Sequence, residues 1–370
     1  MADNNNQWVV NFPDAIAWAF NPNYIEITAP SGNTIPYLEV TVGNNPTIRA
    51  ALYNGRAKVY ISRLLQICFA NPKTERVKTI HVDVSTPTYQ SGNEIIVGWS
   101  IGETNLTTVW GGINLGERAY NYGVYSYEQG HGWLTSHIQC FVNFPFTLEL
   151  LVASGSALYR RANNSGYVWQ ATYNSNQLVT LSKAAVLGDL TQGRVVYRQE
   201  LESLYTGGTF DTSFDYTFHT PADTTVITHV HLRQETEGYY LRWVNHFGFI
   251  QYYLFDKGDK TTKTEKIANI PEETKMEGMY FGNSLRGIGM KSSRNMKMCA
   301  MNLNEETLTY VQDIVSSSFV DLYIGLDKHG HEIWLPVRVS DKSYTVKTLH
   351  NYLSDFEIEI EMPDNVTQRL

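Results

Sequence analysis

The chain has 370 residues, of which 42% are hydrophobic and 18% charged, and its net charge is -8 at pH 7. This length exceeds one ordinary hydrophobic core and predicts two domains, or three. The modest negative charge argues against non-specific binding to nucleic acid, and no apolar run approaches the roughly 18 residues that a membrane span needs. Aromatic residues make up 13% of the chain, with 24 tyrosines, which favours sheets and contact surfaces over helical bundles.

The cysteines and the N-terminus indicate where the chain folds. Cys68, Cys140 and Cys299 are odd in number and far apart, a pattern that excludes a disulfide framework and predicts reduced thiols. The opening MADNNNQWVV has neither the basic segment nor the apolar core of a signal peptide. We therefore expect folding in a cytosol-like environment.

The first half of the chain is predicted to be mostly strands. From Asn21 to Val42, short runs rich in β-formers alternate with turn signals, and further strands are expected over 77–101 and from 133 onwards. GRAKVYISRLLQICF, residues 55–69, has apolar residues at helical spacing, which predicts a short helix that begins near Ser62. The Gly-Gly turn in LYTGGTFD, residues 204–211, predicts a boundary between an N-terminal domain, 1–208, and a C-terminal domain, 209–370.

The most aromatic stretch is GYYLRWVNHFGFIQYYLF, residues 238–255. It predicts a β-hairpin with a four-residue connection, Asn245 to Gly248, built around a type I turn. Strand alternation gives the first arm two faces, neither of them plainly polar, so we expect one in the domain core and the other against a neighbouring element or subunit. The candidate interface residues are Tyr240, Arg242, Phe247 and Tyr252.

The rest of the chain continues the β pattern with one clear helix. DKGDKTTKTEK, residues 256–266, is almost entirely charged or Thr, so we expect it in solvent. Asn304 is a good N-cap before two acids and an apolar stripe, which predicts a helix. Strands are expected over 319–326, 332–340 and 355–362. The fold class predicted from these patterns is mainly β, with two sandwich- or barrel-like domains and about one short helix in each.

Two histidine pairs are candidate metal ligands. His229 and His231 share one face of a predicted strand but lack an identifiable third ligand. His329 and His331 flank a glycine in a segment whose pattern is typical of a hairpin turn. We interpret both pairs as ordinary structural histidines, and we predict neither a metal nor a cofactor.

Two residue groups that contain carboxylates are candidates for acid–base chemistry. Glu128, His131 and His137 combine a carboxylate with two histidines, which could support acid–base chemistry or metal binding, but their glycine-rich segment favours a loop over a rigid site. Asp211 and Asp215 could form a glycosidase pair, but their separation is not fixed by the sequence. A hydrolase that uses either group is the weakest of three functional hypotheses.

The remaining patterns do not point to an active site. Glu357, Glu359 and Glu361 alternate with apolar residues, as expected for a solvated or interfacial strand face. The glycines of GNSLRGIGM, residues 282–290, match no phosphate-binding motif, and no nucleophile elbow occurs. Isolated basic-aromatic pairs argue against single-stranded nucleic acid as a partner. The sequence therefore predicts a protein that is not an enzyme.

Several segments, in this order, resemble the tail and tail-tip structural proteins of tailed bacteriophages that infect Bacteroides-like gut bacteria. They are FNPNYIEI, GRAKVYISRLLQ, VWGGINLGE with FVNFPFTLELL, GYYLRWVNHFGFIQYYLF and WLPVRVSDKSYTVKTLHNYLSDFEIEIEMP. The resemblance spans most of the chain and implies a β-rich virion structural protein in a ring, hub or distal part of the tail. It also implies assembly in the host cytoplasm with copies of itself and other tail proteins, without catalysis.

A receptor- or carbohydrate-binding tail protein is the alternative hypothesis. Exposed aromatic rings would then stack against the sugars of a host-surface glycan. The candidate platforms are Trp110, Trp133, Trp169 and the tyrosines of YNYGVYSY, Tyr120–Tyr127.

Overall fold

The computed structural model describes residues 7–91, 94–112, 118–120, 124–126, 133–141, 143–152, 154–155, 157–162, 167–183, 213–219, 225–233, 235–266, 269–276, 279–287, 289–340, 345–348, 353–363 and 365–369. The chain is mainly β, and the helices bounded within these ranges are one before the aromatic hairpin and one after it, which confirms the predicted fold class. No helix in these ranges is long and apolar enough to cross a membrane.

The strands up to residue 233 are β1 (Val9–Asn11), β2 (Ile16–Trp18), β3 (Tyr24–Thr28), β4 (Tyr37–Val42), β5 (Ile48–Ala51), β6 (Arg56–Tyr60), β7 (Val77–Ser85), β8 (Tyr89–Ser91), β9 (Glu94–Ile96), β10 (Ser100–Val109), β11 (Arg118–Tyr120), β12 (Val124–Ser126), β13 (Trp133–Phe141), β14 (Thr147–Val152), β15 (Ala157–Ala162), β16 (Tyr167–Thr172), β17 (Gln177–Ser182), β18 (Ser213–His219) and β19 (Thr225–Arg233). Helix α1 (Ser62–Ile67) begins where the periodicity predicts it.

The later strands are β20 (Tyr239–Val244), β21 (Ile250–Lys266), β22 (Asn269–Met276), β23 (Met279–Gly287), β24 (Gly289–Leu303), β25 (Val320–Leu326), β26 (Glu332–Val339), β27 (Thr345–Thr348), β28 (Ser354–Glu361) and β29 (Asn365–Arg369). Helix α2 (Glu305–Gln312) continues into a 3-10 helix, Asp313–Ser316. The Asn304 side chain accepts a hydrogen bond from the Thr307 backbone N–H, so the predicted N-cap is present.

The chain forms two compact units, and it passes from one to the other several times. Unit 1 contains Met1–Ser136, Thr147–Val230 and Asn245–Ile250, whereas unit 2 contains His137–Phe146, His231–Val244 and Gln251–Leu370. The predicted boundary at 208/209 lies outside the described residues. Strand β18 follows that boundary yet belongs to unit 1, because it pairs along its length with β15. Because the paired strands are far apart in the chain, no local sequence pattern predicts that they belong to the same unit.

Unit 1 has a core between two sheets with the strand orders β1-β3-β6 and β2-β10-β7-β4-β5. Strand β3 alternates exposed and buried residues, so Ile25 and Ile27 point into the core. Leu38, Val82 and Leu106 supply the facing sheet, and helix α1 adds Leu65. This arrangement leaves the opposite face of β1-β3-β6 in solvent.

Unit 2 is built on a closed barrel. The strand order is β27-β28-β26-β25-β20-β21-β24-β29, and β28 also pairs with β24, which closes the strands from β28 to β24 in this order into a ring and leaves β27 and β29 outside it. Its interior holds Trp243, Phe255 and Phe356, together with Val311 of α2 and Ile314 of the 3-10 helix. Closure gives every barrel strand a partner on both sides, so the first arm of the aromatic hairpin has no free backbone edge.

Strands β21 and β24 extend past the hairpin as a long antiparallel ribbon. Lys260 to Lys266 pair with Met290 to Met296. Residues 256–262 are exposed, which confirms the expected solvation for this part of the charged stretch; the side chains of 263–266 lie outside the described residues.

Candidate functional site

The first arm of the aromatic hairpin turns one face into the barrel. Tyr239, Leu241 and Trp243 all belong to the core of unit 2. The observed alternation is the predicted one. Because the period of a strand is two, the residues between these three must point the other way, out of the barrel.

The outward face of this arm is also covered by the protein itself. The Tyr240 ring stacks on Phe144 and on Tyr252, with ring centroids 4.6 Å and 5.8 Å apart, and only 1% of Tyr240 is exposed. Its hydroxyl donates to the carbonyl oxygen of Pro145 at 2.6 Å. Burial raises the pKa of Tyr240 well above its usual value, so the hydroxyl stays a donor.

Arg242 lies on the same outward face and is also engaged. It stands directly opposite Asp321 across the β20–β25 pair, and its Nε donates to Asp321 Oδ2 at 3.0 Å. Its guanidinium lies over the Trp334 ring, 4.2 Å from the centroid. Asp321 is buried, so Arg242 supplies the charge partner that a buried carboxylate requires.

The connection between the two arms packs inside unit 1. Gly248 N–H donates to the Asn245 carbonyl at 2.9 Å, which closes the predicted four-residue turn. Gly248 has φ +91°, and a Cβ there would meet the Trp110 carbonyl oxygen, so only glycine fits. Phe247 and Phe249 each meet Trp18 edge to face, with centroids 6.1 Å and 6.2 Å apart.

A buried ion pair that the sequence analysis missed fastens the end of this connection. Arg76 donates to Glu149 Oε1, and Glu149 Oε2 accepts from the Ile250 backbone N–H at 2.8 Å. Arg76 also donates to the Lys73 carbonyl at 2.7 Å. The only sequence signal was one glutamate inside the apolar run TLELLV. A lone acid on a buried strand needs a partner, but its spacing does not identify which.

The candidate interface residues do not offer a surface. Tyr240, Phe247 and Tyr252 are 1%, 2% and 4% exposed, and Arg242 is partly covered. Of the two covers expected for the outward face, a neighbouring element or a subunit, the structure shows the first. Both faces are buried by the chain, so these four residues carry no argument for assembly.

The histidine pair after β25, His329 and His331, lies in a turn, as predicted. Asp327 accepts hydrogen bonds from the backbone N–H groups of His329 and His331 at 2.7 Å and 2.8 Å, and Gly330 has φ +83°. These backbone donors, His331 first, lower the pKa of Asp327. The site is the cap of a hairpin turn.

The three glutamates of β28 lie on the outside of the barrel. Phe356, Ile358 and Ile360, which alternate with them, are buried. Glu359 accepts a hydrogen bond from Asn295 Nδ2 at 2.6 Å. In the part of the chain that the structure describes, no three His, Cys, Asp or Glu side chains are grouped to hold a metal ion.

The other candidates are mostly outside the described part of the chain. Glu128, His131 and Asp211 are not among the described residues, nor are the side chains of His137, Asp215, His229, Trp133, Trp169 and Tyr120–Tyr127. His231 is described and lines a cavity in unit 2. Trp110 is partly buried between the rings of Phe20 and Phe69, so it is not the open platform that the carbohydrate hypothesis expects.

An exposed aromatic face lies elsewhere, on the outer side of sheet β1-β3-β6. Tyr24 and Tyr60 pair across β3 and β6, are 37% and 65% exposed, and lie with ring centroids 5.8 Å apart. Lys58 Nζ lies 3.4 Å from the Tyr24 ring centroid and 3.0 Å from Glu26 Oε1. The hydrogen bond with Glu26 raises the pKa of Lys58. We call Tyr24, Glu26, Lys58 and Tyr60 the tyrosine face. No sequence pattern marks these four residues as a group, because they lie on two separate strands.

Comparisons with known proteins add no family. No family model matches the chain, and no curated protein matches it. Two solved structures of the plexin A4 full extracellular region align at 9% identity, with TM-scores of 0.21 and 0.20. The alignments cover 98% and 96% of this chain but only 37% and 31% of the plexin chains. Similarity at this level supports no statement about fold or function.

Proposed function

We propose that the chain is a structural protein of a phage tail, in a ring, hub or distal position, and that it acts by assembling with copies of itself and with other tail proteins. The resemblance of the quoted segments supports the tail assignment. The observation that supports assembly is the tyrosine face, which replaces the aromatic hairpin in that role.

The tyrosine face has the chemistry of a contact surface. Tyr is enriched at protein interfaces because its ring buries a large area with few rotatable bonds. The Tyr24 and Tyr60 rings contact each other edge to face, and the Lys58 ammonium group lies over the Tyr24 ring. Side chains that are already ordered lose less entropy on docking. An ordered aromatic pair on an otherwise solvated sheet is therefore suited to burial against a partner.

The partner that this face fits is a second copy of the chain. Glu26 and Lys58 sit side by side on the sheet, and Arg56 follows on the same strand face. A surface that carries both acidic and basic side chains can form ion pairs with an identical surface on a second copy. Copies that meet through one such contact form a dimer, whereas a ring needs this face to meet a second surface on the next copy.

Cross-linking of mixed isotope-labelled copies tests the contact. We expect cross-links between a light and a heavy chain to be concentrated at Lys58. Lys328, which is exposed in the turn of unit 2, is the control and should give links within one chain. Equal inter-chain linking at both lysines would remove the tyrosine face from the proposal.

Mass spectrometry of purified virions tests the tail assignment separately. We expect the chain in intact particles and in isolated tails. Its absence from both would overturn the tail assignment even if the copies assemble in solution. Binding on a glycan array that Trp133→Ala abolishes would instead favour the receptor- or carbohydrate-binding alternative.

A further inference from the structure

Unit 2 contains a cavity that the proposed function does not use. Its volume is about 470 Å³, within the range of roughly 300–1,000 Å³ that is typical of small-molecule sites. Strands β13, β19, β21 and β24, the loop before β20 and the start of α2 contribute to its wall. The residues that carry the argument are Gln139, Arg233, Glu235, Tyr253, Asp256 and Thr307.

Two buried polar side chains in the wall have unused hydrogen-bonding groups. Thr307 is 8% exposed; its backbone N–H bonds to Asn304, but the described residues offer its hydroxyl no partner. Gln139 is 4% exposed, and its Oε1 accepts from Arg233 Nε at 2.7 Å. Its amide nitrogen has no partner in the described part of the chain. Both residues line the cavity, so these two groups are available to a ligand there.

The charges around the cavity favour a cation. Glu235, Glu237 and Asp256 line it together with a single guanidinium, that of Arg233. None of these three carboxylates forms an ion pair with a described residue. Asp256 is largely exposed, but its partial desolvation at the cavity raises its pKa, and the negative charge of Glu235 raises it further. An entering cation would relieve this repulsion.

The apolar part of the wall favours an organic cation over a metal ion. The Tyr253 ring lines the cavity beside Leu254 and Met301. An aromatic face attracts an ammonium group, and the two apolar side chains suit a methylene chain. A space of this volume is also far larger than a single metal ion requires.

We propose that this cavity binds an alkylammonium ligand, with the ammonium group between Asp256 and Glu235 and its alkyl chain against Tyr253, Leu254 and Met301. The Thr307 hydroxyl can accept from a second ammonium group of the ligand, and the Gln139 amide nitrogen can donate to a ligand oxygen where one is present. Binding is independent of assembly through the tyrosine face.

Calorimetric titration with 1,5-diaminopentane tests the site, with 1-pentanol as the neutral control. We expect saturable binding of the diamine and none of the alcohol. Asp256→Asn and Glu235→Gln should each weaken binding about tenfold, because each removes a charge-assisted contact. Asp259→Asn, on the same strand but outside the cavity lining, is the matched control and should bind as the wild type does.

Two further probes distinguish whether the ammonium group belongs to a small free molecule or to a polypeptide. Spermidine represents a free polyamine, and N-acetyl-lysine methylamide represents a lysine side chain of a polypeptide. The tighter of the two identifies the ligand class. Diamine binding that is absent in the wild type, equal to pentanol binding, or unchanged in the Asp256→Asn/Glu235→Gln double variant would overturn the proposal. Equal thermal unfolding of all variants confirms that the fold is intact.

Discussion

The aromatic hairpin and the tyrosine face contain the same kind of side chain but differ in what covers them. Tyr240 is stacked between Phe144 and Tyr252 and is almost fully buried, whereas Tyr60 sits on a three-stranded sheet and is 65% exposed. Aromatic residue type alone therefore does not show whether the chain itself buries a side chain. The hairpin is the more aromatic segment, and it is the one that the chain itself covers.

Truncating one tyrosine in each region gives the sharpest contrast in stability. Tyr240→Ala should lower the free energy of unfolding by about 3–5 kcal/mol, because it empties a packed aromatic site. Tyr60→Ala should change it by less than about 0.5 kcal/mol, as is usual for surface positions. Urea unfolding of the two variants measures both. Similar losses for the two would mean that the tyrosine face is structural.

The buried ion pair beside the hairpin connection should be nearly as sensitive. Glu149→Gln removes the charge that Arg76 pairs with but keeps an acceptor for the Ile250 N–H. Leaving the guanidinium unpaired should cost about 3 kcal/mol or more. The exposed pair of Lys58 and Glu26 provides the control, since Glu26→Gln should leave the free energy of unfolding nearly unchanged. Thermal unfolding that is equal in both variants would contradict the assignment.

The turn at Asp327 should show a smaller effect with a defined pH dependence. Its carboxyl pKa is lowered by backbone donors in the folded chain, so its contribution is present above the unfolded pKa and is lost as the pH falls through the folded pKa. Asp327→Asn should therefore be less stable than the wild type at neutral pH and should match it in strong acid. A stability difference that persists at low pH would exclude the carboxylate as the cause.

Local features of the structure were predictable from the sequence, and long-range ones were not. The hairpin turn at Asn245 to Gly248, the start of α1 at Ser62 and the Asn304 cap follow from nearby residue types. The closure of the barrel depends on β28 pairing with β24, some sixty residues earlier in the chain, and no local pattern encodes it. The partner of Glu149 is equally remote, since Arg76 lies on a different part of unit 1.

The choice between a neighbouring element and a subunit as the cover of the hairpin could not be made from the sequence for the same reason. Alternation correctly assigned Tyr240 to the face opposite Trp243, but the segment that covers it, around Phe144 and Pro145, lies about a hundred residues away. The tyrosine face was missed because Tyr24 and Tyr60 lie on separate strands. They become neighbours only through the register of β3 and β6.

Sedimentation velocity of the wild type and of the Tyr24→Ser/Tyr60→Ser variant tests assembly through the tyrosine face most directly. We predict that the wild type sediments as an oligomer that the double variant cannot form, while Trp99→Ser, which alters an exposed aromatic residue outside this face, leaves the oligomer intact. A wild type that stays monomeric at high concentration, or a double variant that assembles as the wild type does, would contradict the account.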